Sequence, residues 1–271
     1  MTMKEFHFIS GLPRSGSTLL SAILRQNPRF CAGVSSPLAA LINSVRPLMS
    51  GGEFVSSFDD DRRADVMRSV AEGFYRREGA GVIFDTSRTW AGQAPLVGAL
   101  FPASKIICCV RDVLWILDSI ERILQENPLR LSGLFNFQAM PTVYSRVDAL
   151  MNPNSGLVGQ AWRGLREAWF GPNASRLIIV RYDSLVRAPK ETMARIYSEL
   201  GEQSFAHDFD NVIYDEGGYD EVLGTPGLHR VRKKVEFLER ESMLPPEILA
   251  KMGNLSFWGF PDQNRMGVPV V

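Results

Sequence analysis

The stretch FHFISGLPRSGSTLL, residues 6–20, decides the fold. Its opening residues, 6–10, form an aromatic and β-branched apolar run of strand length. A loop with glycine at both ends, Gly11-Leu12-Pro13-Arg14-Ser15-Gly16, follows, and a helix is expected over 18–26, stopped by Asn27-Pro28. Glycines let a backbone approach an anion closely. The amides of residues 15–18 then point into the loop at the positive end of the helix. Ser15, Ser17 and Thr18 add hydroxyls, and Arg14 adds a fixed charge with a planar fork of donors. Arg14, Ser15, Gly16, Ser17 and Thr18 are therefore read as a phosphate or sulfate site. A bare strand-to-helix turn needs neither Arg14 nor three hydroxyls. The spacing Gly11-x4-Gly16-Ser17-Thr18 is that of a P-loop, except that Ser17 stands where a nucleoside-triphosphate site has its lysine. That lysine reaches the β- and γ-phosphates, so its absence argues against a γ-phosphate ligand.

Outward from the loop, apolar runs over 81–85, 105–110 and 176–181 read as further buried strands, with a weaker one over 30–33. Helical patterns separate them: 37–49, interrupted at Pro47, then 60–77, 112–126, 155–169 and 189–200. Continuous apolar strands alternating with helices predict a mainly parallel central sheet flanked by helices, an α/β, P-loop-like domain. One domain is expected over 1–271, with a C-terminal appendage from about residue 208. Residues 127–154, rich in Pro, Asn and aromatic side chains, read as a flexible cover facing a substrate.

Composition narrows the function. Hydrophobic residues make up 45% and charged ones 22%, an ordinary globular balance. Thirty basic residues balance thirty acidic ones, which gives no case for a nucleic-acid or membrane-surface partner, so an anion site must be built locally. No run of apolar residues is long enough to span a membrane. The first residues run straight into the first strand with no expected leader. Cys31, Cys108 and Cys109 lack a CxxC spacing and read as small core residues, consistent with a reduced, cytoplasmic setting. Three histidines and no ligand cluster predict no metal.

A second anion site is suggested by VRDVLWILDSIER, residues 110–122. Arg111 ends a parallel strand, where α/β proteins place ligand contacts. Ser119 lies eight residues on, just over two helical turns, and can share a helix face with the strand's end. GLPRSGSTLL followed by this Arg-x7-Ser helix resembles the sulfotransferases that use 3′-phosphoadenosine 5′-phosphosulfate (PAPS), and is most similar to bacterial and tyrosylprotein-type members. VRYDSLVRAPKETMARIYSELG, residues 180–201, resembles the family's strand-turn-helix that ends in Leu-Gly.

The resemblance implies that the loop from Arg14 to Thr18 holds the 5′-phosphosulfate and that Arg111 and Ser119 hold the 3′-phosphate. It implies PAPS as sulfuryl donor, adenosine 3′,5′-bisphosphate as product, and a hydroxyl-bearing acceptor: a small molecule, a carbohydrate or a tyrosine. A late basic stretch, GLHRVRKKVE at 227–236, matches the family's closing loop, with Arg230, Arg232, Lys233 and Lys234 as donor contacts or, alternatively, a solvated basic run. The family's proton acceptor is missing. Tyrosylprotein-type relatives have a glutamate beyond the loop where this chain has Gly33-Val34-Ser35-Ser36-Pro37, and the strand region VIFDTSRTW, 82–90, lacks the histidine of cytosolic relatives. Asp85 is nominated as base and Arg88 as charge stabiliser, with Asp85 equally readable as a capping residue and Arg88 as a surface one. His7 reads as a core histidine and His229 as an alternative base. Trp90, Trp115, Phe135, Phe137, Tyr144, Trp162 and Trp169 are candidates for an acceptor pocket or, alternatively, packing residues. Competing functions are a P-loop kinase of a small hydroxyl compound and a nucleotide-binding protein without chemistry.

Overall fold

Strands and helices alternate along the chain as the apolar runs predict. The computed structural model describes residues 4–214, 217–253 and 255–271. The expectation that the chain's start runs directly into the first strand falls partly on residues 1–3, outside the described residues. β1 (Glu5–Gly11) leads through the glycine loop into α1 (Ser17–Leu24) and β2 (Phe30–Ala32). α2 (Leu38–Ser50) and α3 (Asp60–Phe74) precede β3 (Val82–Thr86). α4 (Ala94–Leu100) leads to β4 (Ile106–Val110), and α5 (Val113–Glu126), α6 (Val143–Met151) and α7 (Leu157–Phe170) lead to β5 (Leu177–Arg181). α8 (Tyr182–Arg187), α9 (Pro189–Leu200), α10 (Gly217–Val222) and α11 (Pro246–Lys251) complete the helices.

The strands form one sheet in the order β2-β3-β1-β4-β5, every adjacent pair parallel. β1 is central, so the loop it feeds opens at the middle of the sheet's C-terminal edge. Successive strand residues face opposite layers. Phe8, Ile106 and Cys108 pack with α2, α3, α4, α5, α6 and α7, whereas Ile9, Ile107 and Cys109 pack with α1, α8 and α9. The chain after α9 has little regular structure, yet contributes Val212 and Val235 to one layer and Leu244, Phe257 and Trp258 to the other. Its last residues close the sheet's edge: Ile179 N donates to Pro269 O at 2.8 Å and Val271 N to Ile179 O at 2.8 Å.

Helix starts carry sequence-legible caps. Asp59 accepts from Arg62 N at 2.8 Å ahead of α3, and Asp112 accepts from Leu114 N at 2.9 Å ahead of α5. α2 corrects one expectation: it continues through Pro47, which is exposed in its last turn. There the missing N–H leaves a carbonyl that water can satisfy. The stretch 127–154 contains a regular element: Thr142 and Ser145 form a capping box that starts α6.

His7 sits inside β1, 1% exposed, and its Nδ1 accepts from Lys105 N at 3.1 Å. Burial pushes its imidazole down to about 4 from an ordinary 6.5, with Glu202 opposing and Lys105 adding. The unfolded chain therefore takes up a proton first as pH falls. Stability is full above about 6.5 and is lost as pH falls from there toward 4, by up to roughly 3 kcal/mol. Urea unfolding at pH 7 and pH 4.5 should show this loss in the wild type. His7→Gln, which keeps an acceptor, should lose less; an unchanged pH dependence would remove His7 as the cause.

Candidate active site

All five strands deliver residues to one cavity of about 770 Å³ at the sheet's C-terminal edge. That size is ordinary for a site holding a small ligand. Val34 and Ser35 follow β2, Thr86 to Thr89 end and follow β3, the glycine loop follows β1, Arg111 follows β4 and Tyr182 follows β5. Gly133, Leu134, Asn136 and α7 border another side, and the segment around 219–240 covers it.

The loop is shaped by its glycines. Gly11 has φ +104°, and a Cβ there would lie 2.2 Å from Cys109 O. Gly16 caps α1 at φ +93°, with the Tyr182 ring against it. Among the described residues, no carbonyl or side chain accepts from the amides of Arg14, Ser15, Gly16, Ser17 or Thr18, and the Ser17 and Thr18 hydroxyls have no protein partner. Ser15 differs from expectation. Its hydroxyl is bonded to Leu12 O and, at 2.7 Å, to Cys109 O, so it braces the loop against β4 and only its amide remains for a ligand.

Arg14 takes φ 57°, the left-handed region. Such a conformation costs an L-residue roughly 1–2 kcal/mol. It aims the side chain across the cavity, where Nε donates to Ser119 Oγ at 3.1 Å. The two sites separated in the sequence are thus contiguous. Arg111 stacks over Tyr182, its Cζ 4.2 Å from the ring centroid, and its Nε is buried without a partner. Burial and the neighbouring Arg111 push Arg14 down to about 10. Burial also lowers Arg111. Neither guanidinium has a carboxylate within ion-pair distance among the described residues.

The remaining sequence candidates divide. Arg88 opens onto the cavity; its turn is fixed where Ser10 Oγ donates to Arg88 O at 3.0 Å and accepts from Ala91 N at 3.0 Å. Asp85 does not reach the cavity. It is fully buried and accepts from Ser36 Oγ, from Tyr75 OH at 2.6 Å and from Trp90 Nε1 at 2.6 Å. Three donors occupy its carboxylate, while burial raises it, so it is a brace between β3, the loop after β2 and the end of α3. Arg230, Arg232 and Lys234 line the covering segment; Lys233 does not. None of the seven aromatic candidates lines the cavity. Trp169 is spent in the core with Nε1 on Gln263 O at 3.1 Å, and Trp162 with Nε1 on Leu255 O at 2.8 Å.

Several lining residues escaped the sequence reading. Tyr182 could have been found as the first residue beyond a strand, the same position that marks Arg111. Arg240, held 2.8 Å from the buried Asp118, and Tyr219 carried no local signal. His229, considered only as a distant alternative, faces the cavity with its Nδ1 2.5 Å from Asp220 Oδ1. Among the described residues, seven arginine and lysine side chains against one carboxylate, Glu236, line the cavity of a chain whose net charge is zero, which makes this face a local anion receptor.

Residues 7–206 match a family profile described as the sulfotransferase family. Among solved structures, the chain is similar to the sulfotransferase domain from the Synechococcus PCC 7002 olefin synthase, at 16% identity over 96% of each chain with a TM-score of 0.50. It is also similar to the sulfotransferase from Alicyclobacillus acidocaldarius, at 16% identity over 82% of this chain and 90% of that one with a TM-score of 0.51. At this identity the likeness is one of fold. No curated protein matches the chain.

Proposed function

The chain belongs to the sulfotransferase family, and from that premise we propose that it moves a sulfuryl group from PAPS to an acceptor hydroxyl. One observation carries the reading: Arg14, bonded to Ser119, and Arg111 line one cavity with no carboxylate at ion-pair distance among the described residues, next to a phosphate loop that lacks its lysine. A donor with both a 5′-phosphosulfate and a 3′-phosphate accounts for two adjoining guanidiniums, where a 5′-triphosphate leaves one unused and finds no lysine.

The residues present fit that donor. The free amides of residues 14–18 and the Ser17 and Thr18 hydroxyls would hold the 5′ group. Arg111, with its unpartnered Nε, and Ser119 would hold the 3′-phosphate, and Arg14 would span both. Arg230, Arg232 and Arg240 would close over the nucleotide from the covering segment. PAPS supplies the activated sulfuryl group. The chain's part is to hold it in line and to place positive charge where negative charge grows on the leaving phosphate, the role proposed for Arg14 and Arg88. The acceptor is a hydroxyl compound, and no membrane-spanning helix occurs among the described residues.

Differential scanning fluorimetry tests the reading. Adenosine 3′,5′-bisphosphate at a hundredfold excess over Kd should stabilise the protein by about 2.7 kcal/mol, a Tm rise of several degrees. ATP-Mg should do far less. An equal or larger shift with ATP-Mg, together with phosphoryl transfer, would overturn the assignment.

A further inference from the structure

Sulfuryl transfer to a hydroxyl leaves a proton to be placed, and the covering segment carries a group arranged to take it. Asp220 lies in α10, 4% exposed. Its Oδ2 accepts from His229 N at 2.8 Å and its Oδ1 lies 2.5 Å from His229 Nδ1. One carboxylate therefore holds both the backbone and the ring of the same histidine. That arrangement keeps the proton of the neutral imidazole on Nδ1 and leaves Nε2 as the free acceptor. Among the described residues Nε2 has no hydrogen-bond partner, and the ring lines the cavity. The edge of Tyr219 packs on the imidazole with centroids 5.3 Å apart, and Arg14 and Arg88 are the cations that act on it.

We infer that His229, oriented by Asp220, is the general base for the acceptor hydroxyl, an inference that rests on the sulfuryl-transfer reading above. The acceptor O–H proton passes to Nε2 as the acceptor oxygen bonds to sulfur. The bond from sulfur to the 5′-phosphate oxygen breaks, and its electron pair leaves on adenosine 3′,5′-bisphosphate. The imidazolium then returns its proton to solvent. Burial lowers the imidazole, Asp220 opposes that, and Arg14 and Arg88 add to it, so the ring is neutral and ready as a base near pH 7. An anionic donor seated against Arg14 and Arg88 offsets those two charges and makes His229 more basic once the donor is in place. The base is thereby coupled to donor binding through residues it does not touch.

Its mounting differs from that of the phosphate loop and Arg111. Asp220 and His229 ride on a segment stitched to the neighbouring loop by Gly133 N to Leu223 O at 2.8 Å, by Ser132 and Thr225 hydroxyls at 2.6 Å, and by Arg130 to Glu221 at 2.6 Å. The phosphate loop and Arg111 instead follow strand ends, and of the covering segment Arg230, Arg232 and Arg240, not His229, are the side chains proposed against the nucleotide. Losing the base should therefore lower turnover and spare nucleotide affinity.

The experiment measures two quantities on folded full-length wild type, His229→Gln, His229→Ala and Asp220→Asn. Calorimetry gives the Kd for adenosine 3′,5′-bisphosphate. Chromatography follows release of that bisphosphate from PAPS with phenol, 4-nitrophenol, 1-octanol or water as acceptor. The expected result is a fall of about a hundredfold or more in turnover for both His229 variants, with Kd within about twofold of wild type. Asp220→Asn should fall by less, with a shifted pH profile, and added imidazole should partly restore His229→Ala. Wild-type turnover in both His229 variants would overturn the base assignment alone. So would a parallel loss of bisphosphate affinity, which would make His229 a donor contact. A wild type that does not bind the bisphosphate, or binds it and releases none from PAPS with any acceptor including water, would overturn the sulfuryl-transfer reading and the base with it.

Discussion

Gly11→Ala is expected to destabilise the fold severely. A Cβ at this position would meet Cys109 O at 2.2 Å, Cys109 N at 2.6 Å and Cys109 C at 2.9 Å. These are backbone atoms of the neighbouring strand β4, so no flexible side chain can swing aside. The φ of +104° adds strain for any residue with a Cβ. The same Cys109 carbonyl accepts from Leu12 N at 2.9 Å and from Ser15 Oγ at 2.7 Å, so parting the strands also undoes the loop. Backbone overlap together with two lost hydrogen bonds should cost about 4 kcal/mol or more, a large share of the ~5–15 kcal/mol that holds a typical domain. Urea unfolding followed by circular dichroism would measure it. Gly79→Ala, with nothing within 4 Å of the added carbon and no positive φ, is the control and should be near neutral. A Gly11→Ala protein that melts within a few degrees of wild type would show that β1 and β4 can separate here without loss.

Arg14 should show the opposite pairing, in which stability and binding move apart. Arg14→Gly removes the left-handed strain at φ 57° and the repulsion between Arg14 and Arg111. The free protein should gain about 1 kcal/mol, or roughly 2–4 °C in Tm, reduced by the lost bond to Ser119. Arg14→Gly and Arg14→Ala should both weaken adenosine 3′,5′-bisphosphate and adenosine 5′-phosphate, because Arg14 reaches from the loop to Ser119. A charge-assisted contact is worth ~1.5–3 kcal/mol, about ten- to hundredfold in Kd. Arg111→Ala should weaken the bisphosphate by at least about fivefold and barely change the 5′-phosphate, a coupling of ~1 kcal/mol or more to the 3′ group. Calorimetry on the folded variants decides both. Equal losses for the two nucleotides in Arg111→Ala would mean that Arg111 does not read the 3′ position, and unchanged affinity in the Arg14 variants would remove Arg14 from the site. A strained cation kept where it destabilises the free protein is the expected signature of a binding residue.

The sheet and its loop were legible because their signals are local. Residues 6–10, 105–110 and 176–181 are apolar on both strand faces, which happens when helices cover both sides, and the glycines at 11 and 16 mark where the backbone must turn. The cavity was only half legible. Arg14 and Ser119 are 105 residues apart, and nothing near either announces their contact. Asp85 was misplaced by one strand position: Thr86 lines the cavity, and its neighbour points the other way into three donors. A strand's end can be read from sequence, but which face its last acid takes depends on the partners folded around it. Asp220 was invisible for a different reason. It sits in a six-residue helix, GGYDEV, too short and glycine-rich for a periodic pattern, and its meaning comes from His229 nine residues later.

The adjacent thiols of β4 give the molecule a pair of native reporters. Cys108 faces the α2–α7 layer and Cys109 faces the α1–α8–α9 layer, both fully buried. Burial raises both thiols, Cys109 to about 12, so neither is reactive while the layers stay closed. One peptide bond therefore separates two clocks, each started only when its own half of the molecule breathes. Mass-resolved alkylation kinetics at the two positions can distinguish a local opening on one side of the sheet from a global one that exposes both together, without introducing a label.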